Sequence, residues 1–539
     1  MSRSLARLWL VLVLVTASPF AFAQAPKAGG YYEDKTDLGF KVQVPKDWDF
    51  VPPQPNDPNL IGKYVAPHNG GLRPKSISGI YWGFEVQIAK FDRREQDDDD
   101  GDRPRGRGAE SPTEFLEDAF GRIEWAAAGE KSSKIGKLKA TELQFTGTWT
   151  IDSSEGSEEI PVRAFVAVIS LAPDLDVALI GNGPGDEKKW GKFESAFQTM
   201  ARSVKLVETT VAAARPAGGS MRDQKRAKIA DELTRLPGWA LHESPNYFIV
   251  TDSKDEPFVK EMMDRLEAIR KIYEETYTQK QALELRRKAI ALKAARTDSG
   301  GTAPAKPAGE GEEEEEPEEP LTEEGLLASF EASRACVVRL CSEEAMYLSY
   351  GGPNGSAGYW SPFHEELVVY DDQKDGGRNN TWKTLNHEAF HQYIFYFYGS
   401  LSPHSWYNEG SGDFYSGYQY GKNKKFILKP FDWRVQPVRD MLRDETFTPL
   451  KTLVRYTQAE YYGPRVGDNY AQGWSFIYFL RTAPGKFTGW KPEWNAILPT
   501  YLDTLAVTGD LAKAVDTAFE GVDYDELTAA WKAYLEKEL

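Results

Sequence analysis

The chain has 539 residues, room for two or three domains, and its 41% hydrophobic and 13% aromatic content is that of filled globular cores, not of a disordered polypeptide. Its 65 basic and 82 acidic side chains leave a formal charge of −17, which disfavours nucleic acid and anionic membrane surfaces as partners, since binding either depends on positive charge. A basic or neutral partner fits better.

The N-terminus carries a basic pair, Arg3 and Arg7, then the apolar run Leu8 to Val15 and the small-x-small triplet Ala21-Phe22-Ala23. Residues 1–23 therefore read as a secretory signal peptide cleaved before Gln24. The apolar run is short for a membrane span, and no cysteine follows it to carry a lipid. The expected product is secreted or periplasmic, with no stable membrane anchor after cleavage.

From Tyr31 to about Val207 the pattern predicts a separate α+β domain. Gly39 to Val44, Gly83 to Phe91, Leu138 to Phe145, Ile160 to Leu171 and Val177 to Ile180 are predicted strands, with helices over Pro112 to Trp125 and Lys188 to Val204. The opening Gly39-Phe-Lys-Val-Gln-Val-Pro45, with Trp48 and Phe50, is similar to small secreted domains of the photosystem PsbP type, a resemblance that implies no chemistry. The aspartates Asp97 to Asp102 share their loop with Arg93, Arg94, Arg103, Arg105 and Arg107, which marks a solvated connection and not a calcium site.

Residues 208–225, rich in small and basic side chains, are expected to link this domain to a second one over 240–539. Tyr247 to Thr251 should be its first strand. Phe258, Met262, Leu266, Ile269 and Tyr273 then form an apolar stripe at helical spacing, and the helical pattern runs on to about Arg296. The stretch 297–320, with the acidic run Glu312 to Glu316, cannot bury apolar area and reads as a disordered, solvated insertion. Beyond it, Ala335 to Leu340 and Leu367 to Tyr370 are predicted strands, and Tyr470 to Arg481, Lys491 to Leu505 and Tyr524 to Leu539 predicted helices. Cys336 and Cys341 lie too far apart on one strand for a disulfide and should be two buried thiols.

The chemistry sits in His387-Glu388-Ala389-Phe390-His391. Residues four apart share a helix face, so the two imidazoles can grip one zinc ion while Glu388 reaches a water on it. Asn380 or Thr381 can cap this helix and Gly399 can end it. Zinc held by three protein ligands lowers the pKa of its water to about 7, and a nearby carboxylate takes the proton as the oxygen attacks a carbonyl. Glu409, in Asn408-Glu409-Gly410, would complete a His-His-Glu ligand set. Asp413, one turn later, is suited to fix the tautomer of a ligating histidine.

These motifs resemble the gluzincin clan of zinc peptidases, whose third ligand is a glutamate on a second helix. The stretch from about Tyr247 to Leu539 is similar to the peptidase-MA-like family of secreted bacterial proteins, through Tyr247-Phe-Ile-Val-Thr251, Ala357-Gly-Tyr-Trp360 and Tyr470-Ala-Gln-Gly-Trp474. The resemblance implies a small sheet over an α-rich lower half, with a strand just before the zinc helix edging the cleft where an extended peptide could pair. An oxyanion donor is also required; Tyr470, His404 and Tyr407 are candidates, Tyr470 the favoured one. The expected function is a secreted zinc-dependent peptidase acting on a peptide or protein substrate with Glu388 as base. The alternatives are a non-catalytic envelope protein with a peptidase-like domain, and a zinc hydrolase acting on a non-peptide amide or ester.

Overall fold

The computed structural model describes residues 25–539 apart from 36, 56, 68–82, 95–107, 121–122, 154–155, 186, 210–219, 299–321, 374–376, 399–400 and 422. The expected signal peptide, the Asp97–Asp102 loop, most of the linker, nearly all of the acidic insertion and the helix-ending Gly399 lie outside the described residues. The chain divides into two compact units, one reaching Pro53 and resuming over Asp57–Thr209, the other made of Gln54–Asn56 and Thr210–Leu539. Both mix helices and sheets, so the α+β expectation holds.

In the first unit, β1 (Ala28–Asp34) and β2 (Phe40–Pro45) pair with the short β10 (Lys205–Leu206). A larger antiparallel sheet takes β3 (Asp49–Val51), β4 (Leu60–Val65), β5 (Glu85–Asp92), β6 (Ile123–Ile135), β7 (Leu138–Ser153), β8 (Gly156–Ala172) and β9 (Leu175–Pro184) in the order β3-β4-β5-β9-β8-β7-β6. Helix α1 (Pro112–Ala119) starts at the cap Ser111 with Pro112 in its first turn, and packs Phe115 and Leu116 on the sheet. The predicted helix over Pro112 to Trp125 is thus too long. Trp125 and the alanines after it belong to β6, where pairing of Trp125 with Gly147 and of Ala127 with Phe145 overrides their helical propensity. Helix α2 (Glu187–Ala201) lies over β9 at Gly181, where a Cβ would come within 2.2 Å of the Phe197 ring.

The second unit opens with α3 (Met221–Leu233), set by a capping box at Ser220 and Asp223, so the expected linker ends before residue 221 and not at 225. Then come β11 (Ala240–Glu243), β12 (Tyr247–Thr251), α4 (Glu256–Thr276), α5 (Gln279–Asp298), α6 (Glu323–Ala332), β13 (Cys336–Cys341), α7 (Glu344–Tyr350), β14 (Gly358–Ser361) and β15 (Glu366–Tyr370). The sheet order is β11-β12-β13-β15-β14, with β12, β13 and β15 parallel and an antiparallel strand at each edge. Sequence reading missed both edges, β11 and β14, which are four residues each and carry little pattern. The edge strand on that side of the sheet is therefore β14; β15, the predicted strand just before the two-histidine helix, is interior.

Ile249, Val338, Leu367 and Val369 face the core shared with α4 and α8 (Asn379–Tyr398), and the stripe from Phe258 to Tyr273 is buried as expected. On strand β13, Arg339 is buried and grips Glu366 Oε1 through Nε at 3.0 Å and Nη2 at 2.7 Å. Cys336 and Cys341 are buried free thiols. Because α8 begins at Asn379, Asn380 and Thr381 sit inside its first turn; Thr381 ties it to β15 by donating to the Tyr370 carbonyl. The lower half continues through α9 (Ser405–Ser416), β16 (Tyr418–Tyr420), β17 (Phe426–Leu428), α10 (Asp432–Asp444), α11 (Leu450–Leu453), α12 (Gln458–Tyr461) and α13 (Val466–Thr482). A 3₁₀ turn over Pro492–Ala496, then α14 (Ile497–Thr508), α15 (Leu511–Ala518) and α16 (Tyr524–Glu538), complete it. Among the described residues no helix is long and apolar enough to cross a membrane.

Helices α9 and α13 meet at bare backbone: a Cβ on Gly410 would stand 2.7 Å from the Gly473 carbonyl oxygen. Backbone cannot swing aside as a flexible side chain can. Gly410→Ala is expected to destabilise the second unit by about 1–3 kcal/mol through overpacking, read as a lower urea midpoint followed by tryptophan fluorescence.

Candidate metal centre

Helix α8 buries Leu385, Ala389, Phe390, Tyr393 and Ile394 in the core and brings His387, Glu388 and His391 together on one face. The two imidazoles stand one turn apart with ring centroids at 4.7 Å, each side chain 12% exposed, so a small solute can reach them. Glu409 arrives from α9. Its Oε2 lies 3.1 Å from His387 Nε2 and 3.7 Å from His391 Nε2, and one donor atom from each residue falls within 4.8 Å of the others. Ligands about 2.05 Å from a tetrahedral ion are separated by about 3.3 Å, so this triangle fits a zinc-sized cation.

The surroundings hold each donor in place. Asp413, buried on α9, accepts from His387 Nδ1 at 3.2 Å, leaving Nε2 to face the site, and its other oxygen accepts from Arg434 Nε at 2.7 Å. Tyr462 donates its hydroxyl to Glu409 Oε1 at 2.9 Å, which reserves Oε2 for the site. Gly412 makes room for the histidine: a Cβ there would stand 2.7 Å from the His387 ring. Only His391 lacks such an outer partner; its Nδ1 is buried with no hydrogen bond among the described residues, and its ring stands between those of His387 at 4.7 Å and Phe390 at 5.8 Å. Glu388 accepts from the Trp360 backbone N–H of β14 at 3.0 Å.

Electrostatics mark the same point. Burial disfavours a charged His387, but the carboxylates of Asp413 and Glu409 outweigh it and raise its pKa well above the usual imidazole value. Burial likewise opposes the charge on Glu409, yet the two imidazoles hold it well below the usual carboxylate range. Glu388 is pushed up, by burial first, with the nearby imidazoles pulling the other way.

The predicted residues His387, His391, Glu388, Glu409 and Asp413 are therefore brought together. Tyr470 stands beside the site, its ring 6.0 Å from that of Tyr462 and carrying Arg434 at 4.9 Å. The other two oxyanion candidates are placed elsewhere. His404 is tied to the Tyr501 hydroxyl at 2.8 Å, and burial lowers its pKa to about 4; Tyr407 packs in the aromatic core against Trp406 and Tyr501, its hydroxyl 3.2 Å from that of Tyr277. Sequence reading missed Trp360, Tyr462, Arg434 and Gly412. The glycines flanking Ser411 were the one local sign, since small residues next to a buried carboxylate imply close approach.

Removing the outer carboxylate in Asp413→Ala should weaken zinc affinity about 10–100-fold in a chelator competition, with the fold retained. Because His387 holds its proton unusually firmly, zinc uptake at pH 7 is expected to release about one proton and to weaken as pH falls. Calorimetry in buffers of different ionisation enthalpy counts that proton.

No family model and no curated protein matches this chain. Among solved structures, the cyanobacterial PsbP of Synechocystis sp. PCC 6803 is 14% identical over 34% of this chain and 95% of its own, with a TM-score of 0.22. The Saccharomyces cerevisiae Ran-binding protein Mog1p is 18% identical over 32% of this chain and 91% of its own, at 0.20. Likenesses this slight carry no argument about either unit.

Proposed function

We propose that the second unit is a zinc-dependent peptidase of gluzincin type, similar to the peptidase-MA-like family, and that the protein acts outside the cytoplasm in the secreted or periplasmic space. The observation that carries this reading is the convergence of His387 Nε2, His391 Nε2 and Glu409 Oε2 beside the buried carboxylate of Glu388. A protein that used zinc only for structure would close the site with a fourth residue. Here the metal-ligating group found among the described residues has three members, and both imidazoles remain partly exposed.

Zinc bound there supplies a Lewis acid that polarises a carbonyl and acidifies a water. The residues supply the rest. Glu388 accepts the water's proton at a carboxylate oxygen and returns it to the departing amine, and its raised pKa suits both halves of that exchange. Asp413 and Arg434 keep His387 in one tautomer. For the developing charge on the attacked carbonyl, Tyr470, beside Tyr462, is the donor favoured from sequence, while the Tyr462 hydroxyl is donated to Glu409.

Glu388→Gln keeps the shape but cannot take a proton. It is expected to retain one zinc per chain, measured by mass spectrometry, and to lose about 10²–10⁴-fold in hydrolysis of a denatured protein substrate. His391→Ala should lose both metal and activity. Full activity in Glu388→Gln would sink the reading.

A further inference from the structure

Where the second unit draws a guanidinium out of water, it commonly answers the charge with a carboxylate. Arg270 meets Glu274 at 2.9 Å, Arg339 meets Glu366 at 2.7 Å and Arg434 meets Asp413 at 2.7 Å. Arg481, near the end of α13, has no acidic partner among the described residues. Its guanidinium lies among rings instead, 5.3 Å from the centroid of Phe414, 5.7 Å from Tyr277 and 5.9 Å from Tyr415. Ring faces offset part of a cation's lost hydration but leave its N–H groups to be accepted elsewhere.

The hydrogens around it do not balance. Arg481 Nη2 donates to the Tyr277 hydroxyl at 2.7 Å, and that oxygen lies 3.2 Å from the Tyr407 hydroxyl. Two facing hydroxyls use one proton between them, so the pair keeps one to donate. Arg481 Nε and the Tyr415 hydroxyl are both buried with no hydrogen bond. Three donors and one positive charge are thus gathered without an acceptor among the described residues. The phenols cannot supply the missing negative charge: burial pushes Tyr407 and Tyr415 up, so both are neutral at pH 7.

We propose that Arg481, with the hydroxyls of Tyr277, Tyr407 and Tyr415, binds a halide ion, for which chloride is the probe. The site uses none of the metal-centre residues and is independent of the peptidase reading. Arg481 is only partly buried, which gives a small ion a way in from solvent. A planar carboxylate is best held by Nε and Nη2 together, and Nη2 is already engaged by Tyr277; a single-atom anion makes no such demand. Bound there, the ion ties the end of α4 to α9 and α13, since Tyr277 follows α4, Tyr407 and Tyr415 lie on α9 and Arg481 lies on α13.

Binding is read by ³⁵Cl NMR on metal-free full-length protein, so that no metal competes for the ion. The chloride line is expected to broaden with wild-type protein and to narrow again as bromide displaces it, and Arg481→Met should abolish the displaceable broadening. No such broadening in wild type, or its survival in Arg481→Met, overturns the proposal. Should Arg481→Met fail to fold, Tyr415→Phe decides, since it removes one donor and keeps the ring. It is expected to weaken chloride binding about tenfold, the worth of one hydrogen bond to an ion, and an unchanged affinity overturns the site. Displacement by acetate at lower concentration than by bromide overturns the choice of a single-atom anion.

Discussion

Three carboxylates, Glu388, Glu409 and Asp413, are packed beside two imidazoles where helices α8 and α9 meet, and the second unit is built around compensating them. A buried charge without a partner costs several kcal/mol, so each must be answered locally. Asp413 is answered by Arg434 and His387, Glu409 by Tyr462 and the imidazoles, and Glu388 by the backbone of an edge strand. The partners come from α8, α10, β14 and the residue after α12, so the lower half and the sheet are both committed to one point in space.

The scaffold around that point is rigid for identifiable reasons. Helix α8 is held in register by bonds that reach it from other elements: Tyr273 donates to the Asn386 carbonyl, Gln392 to the Val337 carbonyl, and Tyr393 to the Tyr277 carbonyl. Helix α9 is pressed between α8 and α13 by glycines. Gly412 admits the His387 ring on one side and Gly410 admits the α13 backbone on the other, so Glu409 and Asp413 project into the site from a helix with almost no freedom to shift. Such packing suits a centre whose ligand atoms must stay within a few tenths of an ångström of their positions.

The arrangement also distinguishes the two histidines. His387 is oriented by a hydrogen-bonded chain running through Asp413 to Arg434, while His391 meets Glu409 through Nε2 and has no hydrogen bond at Nδ1 among the described residues. A carboxylate behind an imidazole raises its basicity and fixes its tautomer. His387 is therefore the more firmly oriented of the two imidazoles.

The sequence by itself determined the local parts: the buried stripe of α4, the strands β12, β13 and β15, the two imidazoles one turn apart, and the pairing of Glu409 with Asp413 on a second helix. Each is written in a short run whose period or spacing has one physical meaning. It misjudged segments whose fate is set by neighbours, such as the alanines after Trp125, drawn into β6 by pairing with β7, and the four-residue edges β11 and β14. Only the tertiary structure decided that Arg434, Tyr462 and the Trp360 amide surround the site, and that His404 and Tyr407 do not. Those groups are 21 to 53 residues from their partners, Arg434 from Asp413, Trp360 from Glu388 and Tyr462 from Glu409. No periodicity reports a contact across such distances, because it is made by how helices and sheet pack and not by the chain that joins them.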